Sequence, residues 1–292
     1  MKYIDKQNEA SKNAADILHN WRDTYESPSG KDFRKFCEDA ETTDVVWDIL
    51  PPSGASFSKE KLRQILHAEQ KGVCCYCGQE IKLTDKLPIE HFRPKVEDKF
   101  KNTFDYYNLM LSCDGNKKDG KHYVATGDTW ESIAQKHEMT VKSLKDKNTN
   151  EKDNITPTLK VALSIDVPQS HCDHAKGEQR DEIVDPKTDK GCWERFKYEE
   201  TGEVSGLDDL AIATVKLLGL TAKTLQNKRK NAWKGFLESI ETELNDMVED
   251  LEINRRQAVE LLFKKEVEKD KAQSFCVIKW GLLKSIIFQN QK

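Results

Sequence analysis

The sequence predicts an α+β protein: a small core rich in cysteine, histidine and aromatic residues, flanked by helical N- and C-terminal regions and interrupted by an inserted β-α-α-β module. Three observations predict it. Apolar residues recur at helical spacing before residue 72 and after residue 207; the residue types change abruptly at Val73; and a self-contained stretch separates two halves of the Cys/His-rich segment. The expected boundaries are 1–72 (helical), 73–120 (first part of the core), 121–166 (insert), 167–206 (second part of the core) and 207–292 (helical).

In the N-terminal region, Ala14, Ile17, Leu18 and Trp21 share one helical face. Pro51-Pro52-Ser53-Gly54 interrupts the pattern. Ser58 then suits the cap of a helix whose face carries Leu62, Ile65, Leu66 and Ala68, and Gly72 suits its C-terminal end. In the insert, Tyr123-Val124-Ala125 and Lys160-Val161-Ala162-Leu163 read as strands bracketing two short helices. In the C-terminal region Leu210, Ala213, Leu217 and Leu218 form one stripe, and Leu237, Ile240, Leu244 and Val248 another.

The 292 residues carry 47 Lys or Arg against 51 Asp or Glu, a formal charge of −4. A membrane span needs roughly 18 consecutive apolar residues, and the apolar run at Leu282-Leu283 and Ile286-Ile287 is broken by Lys284 and Ser285. The first residues, Met1 to Gln7, are too charged for a secretory h-region, so a cytoplasmic location is expected. Thiols are kept reduced there, which makes the eight cysteines candidates for metal ligands or core residues rather than disulfides.

Cys74-Cys75-Tyr76-Cys77-Gly78 contains a Cys-x-x-Cys pair on a tight turn, half of a tetrahedral zinc site. Cys113 and Cys172 are the downstream residues that complete four ligands, with His171 in place of Cys172, or Cys75 in place of Cys74, as alternatives. Cys37 and Cys276 read as small hydrophobes in helical patterns, and Cys75 and Cys192 lean the same way. Between the halves of the quartet lies Ile89-Glu90-His91-Phe92-Arg93-Pro94-Lys95; Asn108 follows in Asn108-Leu109-Met110-Leu111-Ser112-Cys113, and His174 in His171-Cys172-Asp173-His174-Ala175-Lys176-Gly177. This ordered set contains what metal-assisted phosphodiester hydrolysis requires: a base, a residue to hold it, and ligands for a divalent ion.

The four motifs in this order closely resemble the HNH endonuclease component of Septu-type bacterial antiphage systems and of related retron defence systems, over Cys74 to Cys113 and again from His171 to Arg229. The resemblance implies a zinc-stabilised ββα-metal core, with His91 as general base, Asn108 orienting it, Glu90 and His174 as ligands of a catalytic Mg²⁺ or Mn²⁺, and Zn²⁺ kept structural by Cys74, Cys77, Cys113 and Cys172. Arg93, Lys95 and Lys176 are the expected nucleic-acid contacts. An ABC/SMC-like ATPase is the expected partner, and a retron reverse transcriptase with its RNA-DNA product a further one. The chain departs from the family in spending 58 residues between Cys113 and Cys172 where family members use a short loop.

Those residues include Gly127-Asp128-Thr129-Trp130, Val141, Leu144 and Asn148, which resemble a LysM module, with Thr129 capping its first helix. That resemblance implies binding of N-acetylglucosamine-containing glycans, or reuse of the module for docking a protein, a nucleic acid or a soluble muropeptide; a passive spacer is the alternative. The acidic net charge is unlike that of a free-standing nucleic-acid binder. Basic residues cluster locally at Arg93 and Lys95, at Lys117, Lys118 and Lys121, and at Lys228-Arg229-Lys230, while Lys264-Lys265 reads as a solvated face. DNA and RNA both stay open as substrates, and so does a non-catalytic, zinc-stabilised protein that binds glycans or a partner.

Overall fold

The computed structural model describes residues 1–25, 30–50, 53, 57–84, 87–113, 115, 121–136, 140–148, 164–166, 170–177, 182–268 and 275–289. The expected α+β class holds. Helix α1 (Glu9–Asp23) starts where the Asn8 side chain accepts the Ser11 amide. Its buried stripe runs through Ser11, Ala14, Ala15 and Leu18, which turns Ile17 outward, contrary to the sequence reading. Helices α2 (Phe33–Asp39) and α3 (Thr43–Trp47) follow. α4 (Lys59–Glu69) begins at Ser58 as its cap, with Leu62 and Leu66 fully buried and Ala68 exposed where the helix ends. Lys71 and Gly72 then reverse the chain with φ of +55° and +72°, a conformation that glycine takes without strain.

The reversal delivers the chain to the Cys74 turn. Beyond it, strand β1 (Ile89–His91) is followed by α5 (Lys99–Thr103) and pairs antiparallel with β2 (Leu109–Leu111), in register Ile89↔Leu111, Glu90↔Met110 and His91↔Leu109. Trp21, Phe33 and Trp47 surround the Phe104 ring, which fixes α1 to α3 against the end of α5.

The insert opens with β3 (Lys121–Tyr123), continues through α6 (Trp130–Lys136) and α7 (Val141–Lys147), and closes with β4 (Ser164–Asp166), antiparallel to β3. Trp130, Ile133, Ala134 and Leu144 make a hydrophobic cluster of their own, joined by Val124 and Val141. Thr129 and Ser132 cap α6 reciprocally as expected. The opening strand ends earlier than the sequence suggested, because Asp128 accepts the Ala125 amide at 2.7 Å and draws that residue into a turn. The expected closing strand at Lys160 to Leu163 lies outside the described residues, as do Lys117 and Lys118.

After the insert come α8 (Asp173–Lys176), the hairpin β5 (Phe196–Tyr198) and β6 (Val204–Gly206), then α9 (Asp209–Leu217), α10 (Lys223–Asp250), α11 (Arg255–Glu268) and α12 (Cys276–Gln289). In α9 the stripe is Ala211, Thr214, Val215 and Leu218 rather than one through Ala213: the Thr214 hydroxyl accepts the Val184 amide at 2.9 Å, and so faces inward. Ile240 and Leu244 of α10 are buried as expected. One continuous hydrophobic cluster joins residues from Met1 to Ile287 outside the insert. Among the described residues, no helix is long and apolar enough to cross a membrane.

Candidate functional site: a cysteine quartet beside a hairpin and a helix

The Cys74–Cys77 turn is built by its own backbone. Cys74 N donates to the Gln79 carbonyl, Gly78 N returns to the Cys74 carbonyl, and Gly78 has φ of +74°. Cys75 N bonds to the Leu111 carbonyl, and the buried Gln70 side chain clamps both the Leu111 amide (2.6 Å) and its carbonyl (2.8 Å), so that the turn is tied to β2. This brings Cys113, just past β2, onto the turn. Cys172 reaches it from the far side of the insert, anchored by its amide on the Leu218 carbonyl.

The sulfurs of Cys74, Cys77, Cys113 and Cys172 lie within 4.8 Å of one another, all buried. Cys77 and Cys113 are 3.8 Å apart, the edge of a tetrahedron of about 3.8 Å that Zn–S bonds of ~2.3 Å generate. Burial alone would raise the Cys74 thiol, and the hydrogen bonds it receives from Cys113, Cys172, Cys75 and Cys77 together outweigh burial and hold it well below the ordinary thiol range. Cys74 is thereby held toward the thiolate that binds metal, while the Cys113 and Cys172 thiols are pushed well above the ordinary thiol range. Arg229, buried on α10, interacts electrostatically with Cys77 and Cys172 and places positive charge near those two sulfurs. The donor set and its surroundings fit zinc. His171 stands beside the quartet, Nδ1 at 3.3 Å from Cys172 Sγ and 3.6 Å from Cys113 Sγ, without replacing either sulfur in it. Cys75 stays outside, its thiol pushed well up by burial.

The hairpin and α8 meet beside this centre. Glu90 Oε1 accepts from Tyr76 Oη at 2.6 Å and from Lys176 Nζ at 2.7 Å, and Lys176 Nζ also donates to the His91 carbonyl at 2.9 Å. Burial pushes the Glu90 carboxyl up to about 8; the Asp173 carboxyl beside it adds to the rise, and Lys176 opposes it. His91 Nε2 lies 3.0 Å from the Thr103 carbonyl. A carbonyl only accepts, so Nε2 carries the proton and Nδ1 the lone pair. Burial, with Lys95 next, pulls the imidazole down to about 3, and the ring packs edge-on to Trp47 with centroids 4.8 Å apart.

Asn108 does not hold the His91 ring directly. Its amide accepts from Arg93 N (2.8 Å) and donates to the carbonyls of Arg93 (3.0 Å) and Asn102 (2.9 Å), which fastens the backbone after His91 to the end of α5 beside Thr103. His174 is half-buried on α8, its ring edge near Gly115. The carboxyl that meets Glu90 is that of Asp173, which the sequence reading did not single out; its signal was the i, i+3 spacing to Lys176, which puts both on one helical face.

Of the expected nucleic-acid contacts, Arg93 is exposed, and Lys95 is paired with Asp44 at 2.9 Å. Lys176 is a correction. Its side chain is 4% exposed and engaged with Glu90, so it lies in the interior and not on a surface that a phosphate reaches. The Lys228-Arg229-Lys230 cluster is likewise split by the burial of Arg229.

The two legs of the insert converge at the same place. Gly115 has φ of +55°, and a Cβ on it would lie 2.3 Å from the His171 carbonyl oxygen, so the chain leaving Cys113 presses against the chain returning to Cys172. Cys172 itself has φ of +56°, a strained conformation for a residue with a Cβ. Residues 122–161 match the LysM domain family. The match covers the insert alone, and no curated protein matches the chain.

Proposed function

We propose that this chain is a divalent-metal-dependent nuclease of the HNH type, the effector of an antiphage complex, with zinc in the cysteine quartet serving structure. The observation that carries the reading is the docking of α8 on the β1–β2 hairpin, with Asp173 and Lys176 both meeting Glu90 and with His91 on the adjacent residue. In this reading His91, neutral at physiological pH, takes a proton from water at Nδ1 while Thr103 holds Nε2–H. Asn108 keeps the two backbone segments that frame His91 together. By the family resemblance Glu90 and His174 would hold Mg²⁺ or Mn²⁺, which would neutralise charge on the leaving oxygen. The substrate is a nucleic acid, DNA or RNA. Among the described residues, Lys176 is buried and Lys95 is paired with Asp44, which agrees with a partner that supplies part of the grip, and the family resemblance makes that partner an ABC/SMC-like ATPase, with a retron reverse transcriptase as the other candidate.

The test is incubation of the purified chain, alone and with its partner, with plasmid DNA and with total RNA in Mg²⁺, Mn²⁺ or EDTA. Metal-dependent cleavage that falls at least ~10²-fold in His91→Ala, at unchanged zinc content, supports the reading. Cleavage that survives His91→Ala refutes it.

A second reading has its own observation. The LysM match favours binding of an N-acetylglucosamine oligomer by the insert, and a zinc-stabilised binding protein without catalysis would retain only that activity. Calorimetry with chitin oligosaccharides, beside the cleavage assay, separates the two.

A further inference from the structure

Lys176 holds a position that neither a phosphate contact nor a solvated lysine would. Its side chain and that of Glu90 are 4% and 3% exposed, and its Nζ joins the Glu90 carboxyl group to the main chain of His91. An ammonium in the interior is tolerated only when its donors are met by paired charge and acceptors, and here two of them reach adjacent residues of one strand. The helix that bears it begins at Cys172, a member of the quartet, and the Asp173 amide donates to the Ser112 hydroxyl at 3.3 Å on the way out of β2. A continuous connection therefore runs from the cysteine centre through one helical turn to the strand carrying Glu90 and His91.

From this geometry we infer that Lys176 is a positioning residue: it fixes Glu90 and His91 relative to the cysteine centre and makes no contact with substrate. The inference rests on the nuclease reading above, because it is in cleavage that positioning is read out. It requires that Lys176 set the turnover rate and leave substrate affinity alone. A phosphate contact behaves in the opposite way, since each one removed lowers the slope of log affinity against log salt by about 0.9 and weakens binding of every sequence. The two roles also differ in what arginine does. A guanidinium keeps the charge and binds phosphate well, but its planar fork is bulkier than the ammonium and does not reproduce a single nitrogen seated between a carboxylate and a carbonyl.

Single-turnover and steady-state cleavage by full-length wild type, Lys176→Met and Lys176→Arg, each checked for zinc content, is the test. The expected result is a kcat about tenfold or more below wild type in both variants, with KM and the salt slope unchanged. Lys176→Arg keeps the charge, so it carries the test if Lys176→Met fails to fold. Wild-type kcat in Lys176→Arg, or a raised KM with a smaller salt slope in either variant, overturns the inference while leaving the nuclease reading intact. Absence of metal-dependent cleavage in wild type overturns both.

Discussion

Replacing Cys113 with serine is expected to cost the protein its metal and its fold, whereas the same change at Cys75 is expected to cost neither. Both side chains are buried, are at most 3% exposed and share one hydrophobic cluster, so burial does not distinguish them. Membership of the quartet does. Structural zinc contributes on the order of 10–16 kcal/mol at neutral pH; shared among four thiolates, that is roughly 3 kcal/mol each, or about 10²-fold in affinity for one ligand lost. Complete metal loss is comparable to the whole ~5–15 kcal/mol that a domain has in reserve. Cys75→Ser puts a buried hydroxyl where the thiol meets Cys74, at about 1–3 kcal/mol. Elemental analysis after dialysis against a chelator, together with thermal unfolding, measures both effects: near one zinc per chain in wild type and Cys75→Ser, and zinc loss with a collapsed melting transition in Cys113→Ser. A Cys113→Ser protein that keeps zinc through the chelator, or a Cys75→Ser protein that loses it, would refute the assignment of the quartet.

Replacing residues 121–166 with a short Gly/Ser linker should preserve zinc content and cleavage, because β3 and β4 pair at the base of the insert and loop closure changes by only about 0.6 kcal/mol per doubling of length; zinc loss in the deletion variant would count against this. Asn108→Ala should lower cleavage while sparing zinc, since it strips the Arg93 amide and the Arg93 and Asn102 carbonyls of their partner, at about 1–3 kcal/mol for each polar group left buried and unpaired; unchanged kcat would remove Asn108 from the site. The Asp128 carboxyl is held below its usual range by the Ala125 amide first and by His122 second. A depressed carboxylate stabilises the fold above its unfolded pKa and loses that contribution as pH falls through the folded value. Asp128→Asn should therefore weaken amide protection at Ala125 at pH 7, and the difference should shrink at pH 3. A difference that persists at low pH would mean that charge is not the cause.

How much of this was legible in the sequence follows from what each feature depends on. Spacing and ligand number, which zinc chemistry imposes, pointed to the four cysteines but left His171 and Cys75 as alternatives, because neither says which side chains converge. Ser58 and Thr129 were legible as caps for a similar reason: capping is local, and the sequence carries it within three residues. The inward turn of Thr214 was not legible, because it answers an amide at Val184, thirty residues away, and periodicity treats threonine as polar. Nor was the exposure of Ile17, which depends on what packs against α1. The reading of Lys176 as a phosphate contact failed because a motif match gives a residue type and says nothing about its burial. Asp173 was passed over in favour of the histidine beside it, since a residue type was weighed where the deciding fact was which side of a single helical turn faces Glu90.

The pinch between Gly115 and His171 has a consequence for the covalent chain. Cys74, Cys77 and Cys113 lie before the insert and Cys172 after it, yet all four sulfurs face one centre, and the hydrophobic cluster outside the insert draws on both sides. A single peptide-bond cut in the stretch between β3 and β4 would therefore divide the polypeptide without dividing the protein. The two fragments should co-migrate on a sizing column and separate only in denaturant, more readily once a chelator has taken the metal. Continuity of the backbone through the insert is then dispensable to the folded state, and a metal held by the quartet would do the work of a peptide link.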